Sequence, residues 1–175
     1  MLDYEPTWLS IAKKYIGVKE IPGRRHNSKV IEFLKSVPRK IFGSLSLTDE
    51  IPWCSAFVNY VMEEAGFRGT DKPNARSWLK WGVDSKPAIG SIVVLKRGKL
   101  AWQGHVGFLV KLEDEVVYTL GGNQGNEVCV KDYDRASVLG YRWPGPKHIE
   151  SNFIAIGDMK NFLPNGPKGV GCGMV

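Results

Sequence analysis

The sequence has few cysteines and histidines, which limits the disulfide and metal chemistry open to it. The six residues are Cys54, Cys129, Cys172, His26, His105 and His148. The cysteines are odd in number and form no CxxC pair, so neither a disulfide framework nor a zinc ribbon is expected. No two histidines stand within helical reach of each other. We expect no metal and no cofactor, and zinc bound by Cys54, His105 and Cys129 is the one metal site left open.

Long apolar runs are also absent. No stretch reaches the roughly 18 to 20 apolar residues that a membrane helix requires, and we expect no stable membrane insertion. The opening segment MLDYEPTWLS has an acid at its third position and lacks the apolar core of a signal peptide. The expected place of synthesis is therefore the cytoplasm, and any action outside the cell needs another exit route.

Blocks of like charge are missing, although the chain as a whole is basic. Its 24 Lys and Arg against 18 Asp and Glu give a formal net charge of +6. The basic residues are spread along the chain, so no nucleic-acid-binding stripe is visible and no nucleic-acid partner is expected. The excess charge favours an anionic partner such as a cell-wall polymer, with plain solubility as the alternative.

The 175 residues contain no internal repeat and suit one main domain. Helical periodicity predicts helices over residues 7–17, 28–35 and 53–65, and a short helix over 76–82. A period of two then predicts strands over residues 91–96, 104–111, 116–121, 127–133 and 138–143. Helices followed by strands indicate an α+β domain over residues 1–144, with N-terminal helices packed on an antiparallel meander. Residues 145–175, rich in Pro and Gly, are expected to form a partly flexible extension.

Cys54 lies in the segment DEIPWCSAFVNYVMEEAG, at the predicted start of the third helix. A thiol attacks a carbonyl well only as thiolate, and the unpaired N–H groups and positive dipole end of a helix N-terminus favour that form. The same N–H groups can hold the oxyanion of a tetrahedral intermediate. Cys54 is therefore a candidate nucleophile, and a small buried hydrophobe is the alternative.

His105, in the segment WQGHVGFLV, is the candidate general base. Only histidine has an unperturbed pKa near neutrality. Alternation along the strand puts His105 and Gly107 on one face and the apolar Val106 on the other. Because Gly107 is small, we expect the helix of Cys54 to pack on its face. A structural histidine with satisfied hydrogen bonds is the alternative.

A third group has to orient the imidazole, and the segment LGGNQGN ends the next predicted strand. Asn123 and Gln124 both offer a carbonyl oxygen to a ring N–H, and Asn123 is ranked first. A turn residue that tolerates positive φ is the alternative for Asn123. Asp49 and Glu50 stay open as helix cap, cation ligands or contacts to a substrate amine. Cys, then His, then Asn is the chain order of papain-like cysteine enzymes.

Five segments in order resemble the CHAP and NlpC-type superfamily of peptidoglycan hydrolases: PWCSAFVNYVMEEAG, ARSWLKWG, GSIVVLKRG, GHVGFLV and LGGNQGNEV. More narrowly, they are similar to small endolysin-like proteins of phages and prophages. The resemblance covers about residues 7–144 and implies a compact papain-like fold with Cys54 as nucleophile, His105 as base and Asn123 as the third residue. Gly121 stands where the family often has an acid, which disfavours a carboxylate-assisted version. Some members bind calcium, for which Asp49 and Glu50 offer too few oxygen ligands.

The resemblance implies a peptidoglycan amidase or endopeptidase that cleaves an amide of the stem peptide, as a phage lysin. We expect a monomer that acts on bacterial peptidoglycan after release from the host cytoplasm. The expected substrate or oxyanion contacts are Glu50, Trp53, Ser55 and Gln124. A secreted antibacterial effector, an acyltransferase or deconjugating thiol enzyme on the same fold, and a non-catalytic wall-binding or phage structural module stay open as alternatives.

Overall fold

The computed structural model describes residues 5–23, 25–37 and 52–145. The helices in this part of the chain are α1, Thr7–Lys13; α2, Ser28–Lys35; and α3, Cys54–Glu64. The strands are β1, Val83–Asp84; β2, Ile92–Lys96; β3, Gly104–Leu112; β4, Val116–Gly121; β5, Cys129–Asp134; and β6, Val138–Trp143. Short 3₁₀ helices span Ala75–Lys80 and Arg135–Ser137. Helices come first and antiparallel strands follow, so the predicted α+β class is confirmed.

The helices follow the predicted pattern except at the end of α1. This helix ends at Lys13 rather than at Gly17, and Ile16 beyond it is 49% exposed. Gly17 has a φ of +90° and donates its N–H to Val128 O, so the chain turns toward the sheet instead of extending the helix. α3 ends as expected, followed by Gly66 with a φ of +81°.

The strands form one antiparallel sheet in the order β1-β6-β2-β3-β4-β5. The predicted meander runs from β2 to β5, with one difference at its end: β6 pairs with β2 and not with β5. The sheet curls so that Tyr133 of β5 and Tyr141 of β6 join one cluster on the same face. Curling brings the chain after β5 close to the open edge of β2, and β6 covers that edge.

We call the inner side of the curled sheet the concave face, and its apolar residues are Val93, Leu95, Leu109 and Val117. The helices cover the opposite face. There Val106 and Phe108 belong to the main core, and the ring of Phe57 in α3 lies 6.4 Å from that of Phe108. The expectation that α3 packs on the face of Gly107 is therefore wrong. Gly107 instead lets β4 approach, because a Cβ there would lie 2.9 Å from Leu120 O.

Candidate active site

Cys54 is the first residue of α3, and its thiol lies against β3. The residue is only 6% exposed. The backbone amides of Val106, Ser55 and Cys54 itself lie near the sulfur and favour its ionised form, which lowers the pKa of the thiol against the larger effect of burial. These amides put the thiol beside the peptide bond that joins His105 to Val106, so Cys54 lies next to the strand that carries His105.

The Val106 amide faces the Cys54 thiol because β4 does not pair with this end of β3. The N–H of Leu109 donates to Ser91 O at 2.8 Å, on the β2 side. N–H groups alternate between the two edges of a strand, so the Val106 N–H points to the β4 side. Pairing with β4 begins only at Phe108 and Leu120. The thiol therefore takes the position that a neighbouring strand would otherwise fill.

Gly122, which follows β4, lets the start of α3 come close to the sheet. A Cβ at this position would lie 2.5 Å from Trp53 Cζ3 and 2.7 Å from Phe57 Cβ, well inside van der Waals contact. A side chain here would have to displace the first turn of α3. Gly122 thus helps to set how near Cys54 lies to β3.

His105 lies near the start of β3 on the concave face and is 3% exposed. Its Nε2 is 2.9 Å from Gln124 Oε1. Burial lowers the pKa of His105 to about 4, and the hydrogen bond with Gln124 opposes this effect. Burial also raises the pKa of the Cys54 thiol, opposed chiefly by the Val106 amide. In the substrate-free site the pair is therefore a neutral thiol beside a neutral imidazole at pH 7.

The side-chain amide of Gln124 determines which imidazole nitrogen carries the proton. Its Nε2 donates to Thr119 O at 3.1 Å and also to Cys129 O, which assigns Oε1 to the side of His105. An amide oxygen only accepts hydrogen bonds, so His105 Nε2 is protonated. The Nδ1 atom is then the nitrogen that can take a proton from a thiol. The hydroxyls of Thr119 and Tyr133 donate to the same oxygen, at 3.0 and 3.1 Å.

Gln124, and not the first-ranked Asn123, makes the hydrogen bond to His105. Asn123 has a φ of +57°, and within the described part of the chain its side chain makes no hydrogen bond. Gly125 and Asn126 also have positive φ, so the segment after β4 is a tight turn. The conformation of this turn decides which of two adjacent amides meets β3. Spacing along the sequence could not reveal it.

The other predicted contacts lie apart from this network. Trp53 is fully buried in the main core. Ser55 is fully buried too, and its hydroxyl donates to Lys72 O at 2.7 Å. The backbone amide of Ser55, not its hydroxyl, acts on the cysteine by lowering the pKa of its thiol. The two side chains therefore have structural roles in this conformation, while Glu50 and Asp49 lie outside the described residues.

Sequence reasoning did not single out Tyr133 or Arg97. The ring of Tyr133 lies against His105, with centroids 5.4 Å apart and planes inclined by 31°. A signal existed for Tyr133, because alternation along β5 puts it on the same face as the buried Cys129. Arg97 follows β2, and its positive charge lowers the pKa of both Cys54 and His105.

Cys129 is part of the hydrogen-bond network rather than of a metal cluster. Its thiol donates to the backbone carbonyl of Gln124 at 3.4 Å. Across residues 5–23, 25–37 and 52–145, no group of three or more His, Cys, Asp or Glu residues stands close enough to hold a metal ion. In the same ranges no helix has both the length and the apolar character needed to cross a membrane.

Comparison with known proteins adds one family match. Residues 47–123 match the model of the CHAP domain, a span that includes Cys54 and His105. No curated protein matches the chain significantly. Among solved structures the chain is similar to a protein of Staphylococcus aureus described as similar to a lipoprotein of the NLP/P60 family, with 16% identity and a TM-score of 0.45. The match covers 82% of this chain and 44% of that one, so the chain spans less than half of its length.

Proposed function

We propose that this chain, which belongs to the CHAP/NlpC-type superfamily, hydrolyses an amide bond in the stem peptide of bacterial peptidoglycan with Cys54 as the nucleophile. One observation carries the proposal: the Val106 amide lies near the Cys54 thiol and favours its thiolate form, one residue from an imidazole that Gln124 holds. A thiol close to the strand that carries a base, with an amide that orients the base, supplies the groups that nucleophilic attack on an amide requires. Amidase and endopeptidase are both covered, since both break such a bond by the same chemistry.

The reaction starts from the neutral pair. As the sulfur attacks the carbonyl carbon, the thiol proton moves to His105 Nδ1 and the carbonyl oxygen becomes an oxyanion. The backbone amides at the start of α3 hold this oxyanion. The carbon–nitrogen bond then breaks, His105 gives its proton to the leaving amine, and Cys54 keeps the acyl group. Water attacks the thioester while His105 takes its proton, and the carboxylic acid and free thiol are released.

The role of Gln124 follows from the charge that His105 gains during the reaction. The imidazolium forms in a buried site that disfavours it. Gln124 Oε1 faces the Nε2–H and stabilises the positive charge, because a hydrogen bond to a charged group is stronger than one between neutral groups. Burial keeps Cys54 and His105 neutral before the reaction. The hydrogen bond from His105 to Gln124 then favours the transfer of the thiol proton to His105 once attack begins.

The biological setting belongs to the same proposal. A net charge of +6 favours adsorption to an anionic cell wall. We place the protein as a monomer that reaches peptidoglycan after release from the bacterial cytoplasm, as a phage lysin. A neighbouring holin gene would support that setting, and a neighbouring immunity gene would support a secreted antibacterial effector.

The test is to incubate purified protein with purified peptidoglycan and follow new amino termini and released muropeptides by mass spectrometry. Wild type should release products, and Cys54→Ala should release none while keeping the wild-type circular dichroism spectrum and melting temperature. The masses of the products separate amidase from endopeptidase cleavage. Cleavage by Cys54→Ala at the wild-type rate would contradict the mechanism in which Cys54 is the nucleophile.

Two control variants test whether the loss of activity is specific to the proposed reactive cysteine and histidine. Cys172→Ala removes a thiol outside the described residues, and His26→Gln removes an exposed imidazole. Both should retain activity if Cys54 is the reacting thiol and His105 is the reacting imidazole. If wild type releases nothing but transfers acyl groups to added amines, the protein is an acyltransferase on the same fold.

A further inference from the structure

Arg97 begins the loop that connects β2 to β3, on the side of the sheet that carries His105. Leu95 pairs directly with His105, and directly opposed residues present their side chains on the same face. Arg97 is two residues beyond Leu95, so alternation puts it on that face as well. It lies one position past the last β2 pair, Lys96 with Gly104, and it is exposed.

The guanidinium of Arg97 has no partner within the described residues. Four other arginines bind a carboxylate or a backbone carbonyl there: Arg68, Arg76, Arg135 and Arg142. Four of the six arginines in the described residues thus have a partner, whereas Arg97, on the face that carries His105, has none. Its five N–H donors form a planar fork that matches a carboxylate.

The charge of Arg97 reaches the reacting groups. Burial raises the pKa of Cys54 in α3 and of Tyr133 in β5, and the charge of Arg97 opposes it; burial lowers the pKa of His105 in β3, and the charge of Arg97 adds to that effect. The charged groups that act on His105 within the described residues, Arg97 and Lys131, are both cations. The proposed reaction makes His105 itself cationic, and no carboxylate among the described residues acts on the pKa of His105.

We propose that Arg97 binds a free carboxylate of the substrate, next to the amide that Cys54 attacks. The inference rests on the proposed function and narrows the substrate to stem peptides with an ionised carboxyl group near the cleaved bond. The bound carboxylate orients the peptide through a bidentate contact with the Arg97 guanidinium. It also offsets the positive field in which the His105 imidazolium forms, so it assists the reaction as well as binding.

The experiment compares two sets of soluble muropeptides, one with free carboxylates and one converted to carboxamides with carbodiimide and ammonia. Wild type should cleave the carboxylate set with a kcat/KM about 10 to 100 times higher, the range of one charged hydrogen-bonded contact. Arg97→Gln should lose that factor on the carboxylate set and change less than about 2-fold on the carboxamide set. Arg97→Lys should fall between, because it keeps the charge without the fork. Equal losses on both sets, or none, would overturn the proposal.

Lys99→Gln is the matched control. Lys99 is an exposed cation on the same hairpin loop and does not act on the pKa of Cys54 or His105. The substitution removes one positive charge from the loop and should leave both rates within about 2-fold, since an exposed charge away from the site is screened by solvent. A loss of carboxylate preference in Lys99→Gln would mean that general loop charge, and not Arg97, selects the substrate.

Binding to the inactive Cys54→Ala protein separates this inference from the proposed function. Its Kd for the carboxylate muropeptides, measured by calorimetry, should rise about 10-fold when Arg97→Gln is added. If wild type binds these peptides through Arg97 but cleaves nothing, the hydrolase proposal fails and the Arg97 site stands. If wild type cleaves both sets equally and Arg97→Gln leaves the Kd unchanged, the Arg97 site fails and the hydrolase stands.

Discussion

His105 Nε2 and Gln124 Oε1 lie 2.9 Å apart, and this hydrogen bond joins β3 to the turn after β4. The nitrogen of the same Gln124 amide donates to the backbone carbonyls of Thr119 and Cys129. Gln124 therefore cannot flip its amide without losing bonds to β4 and β5. The main chain of two strands thus holds the imidazole in one tautomer.

Gln124→Ala should lower kcat about 100-fold with little change in KM, because His105 loses the group that fixes its proton on Nε2. The variant also leaves two buried carbonyls without their donor, which costs about 1 to 3 kcal/mol of stability. Rates are therefore compared at a temperature where circular dichroism shows both proteins folded. Asn123→Gly is the control and should keep near-wild-type kcat, since glycine accepts the φ of +57°. The assignment is wrong if Asn123→Gly is the more damaged variant.

Tyr133→Phe and Tyr133→Ala should separate the two contacts of Tyr133 with the site. The Phe variant keeps the ring against His105 and loses the 3.1 Å bond to Gln124, so kcat should fall about 5-fold, the effect of one neutral hydrogen bond. The Ala variant loses both contacts and should also admit water around the imidazole. Its acid-side kcat/KM inflection should therefore move up toward the ordinary histidine pKa. An unchanged pH profile in Tyr133→Ala would show that Tyr133 does not position His105.

The depressed pKa of His105 should make stability fall in acid. An unfolded histidine titrates near 6.5 and the buried His105 near 4, so between these pH values the unfolded state binds more protons. Stability is then full above about pH 6.5 and declines as the pH falls toward 4, by about 3 kcal/mol at about 1.4 kcal/mol per unit. Urea denaturation of wild type and His105→Gln over this range measures the effect as the difference between the two curves. Parallel curves would contradict a neutral, buried His105.

Gly122→Ala should weaken the contact between α3 and the sheet. The added methyl would lie 2.5 Å from Trp53 Cζ3, and overpacking of this kind costs about 1 to 3 kcal/mol. Because the displaced turn carries Cys54, kcat should fall as well. Gly125→Ala is a matched control in the same turn, where a Cβ meets nothing within 4 Å but the φ is +65°. It should lose only about 1 kcal/mol from backbone strain and little activity; a control as inactive as Gly122→Ala would argue against the packing explanation.

Sequence periodicity was a sufficient guide to most helices and strands, because local patterns of apolar residues reflect which face of each element is buried. α3 begins one residue later and ends one residue earlier than predicted, and β3 ends one residue later than predicted. The pairing of β6 with β2 could not be predicted from the sequence, since it depends on how far the whole sheet curls. The side on which α3 packs was misjudged for a similar reason: Gly107 accommodates β4 and not the helix.

The candidate site, too, was predictable from the sequence only in part. Cys54 at a helix start and His105 at a strand start follow from their own neighbours in the sequence, and the structure puts Cys54 near the backbone of Val106, which follows His105. The choice of Gln124 over Asn123 depends on the left-handed turn after β4. Tyr133 reaches His105 only through the pairing of β5 with β4, which no local pattern contains.

By itself the sequence determined the types of element, the order of the reactive residues and the positive charge of the protein, because each of these depends on residues close together in the chain. The tertiary structure alone decided which amide holds His105, which face α3 covers and how Cys54 meets Val106. It also decided that Arg97 stands over the same face as His105 without a partner among the described residues. These relations depend on strand register, sheet curvature and the space left by a missing Cβ, and the folded chain alone sets such long-range distances.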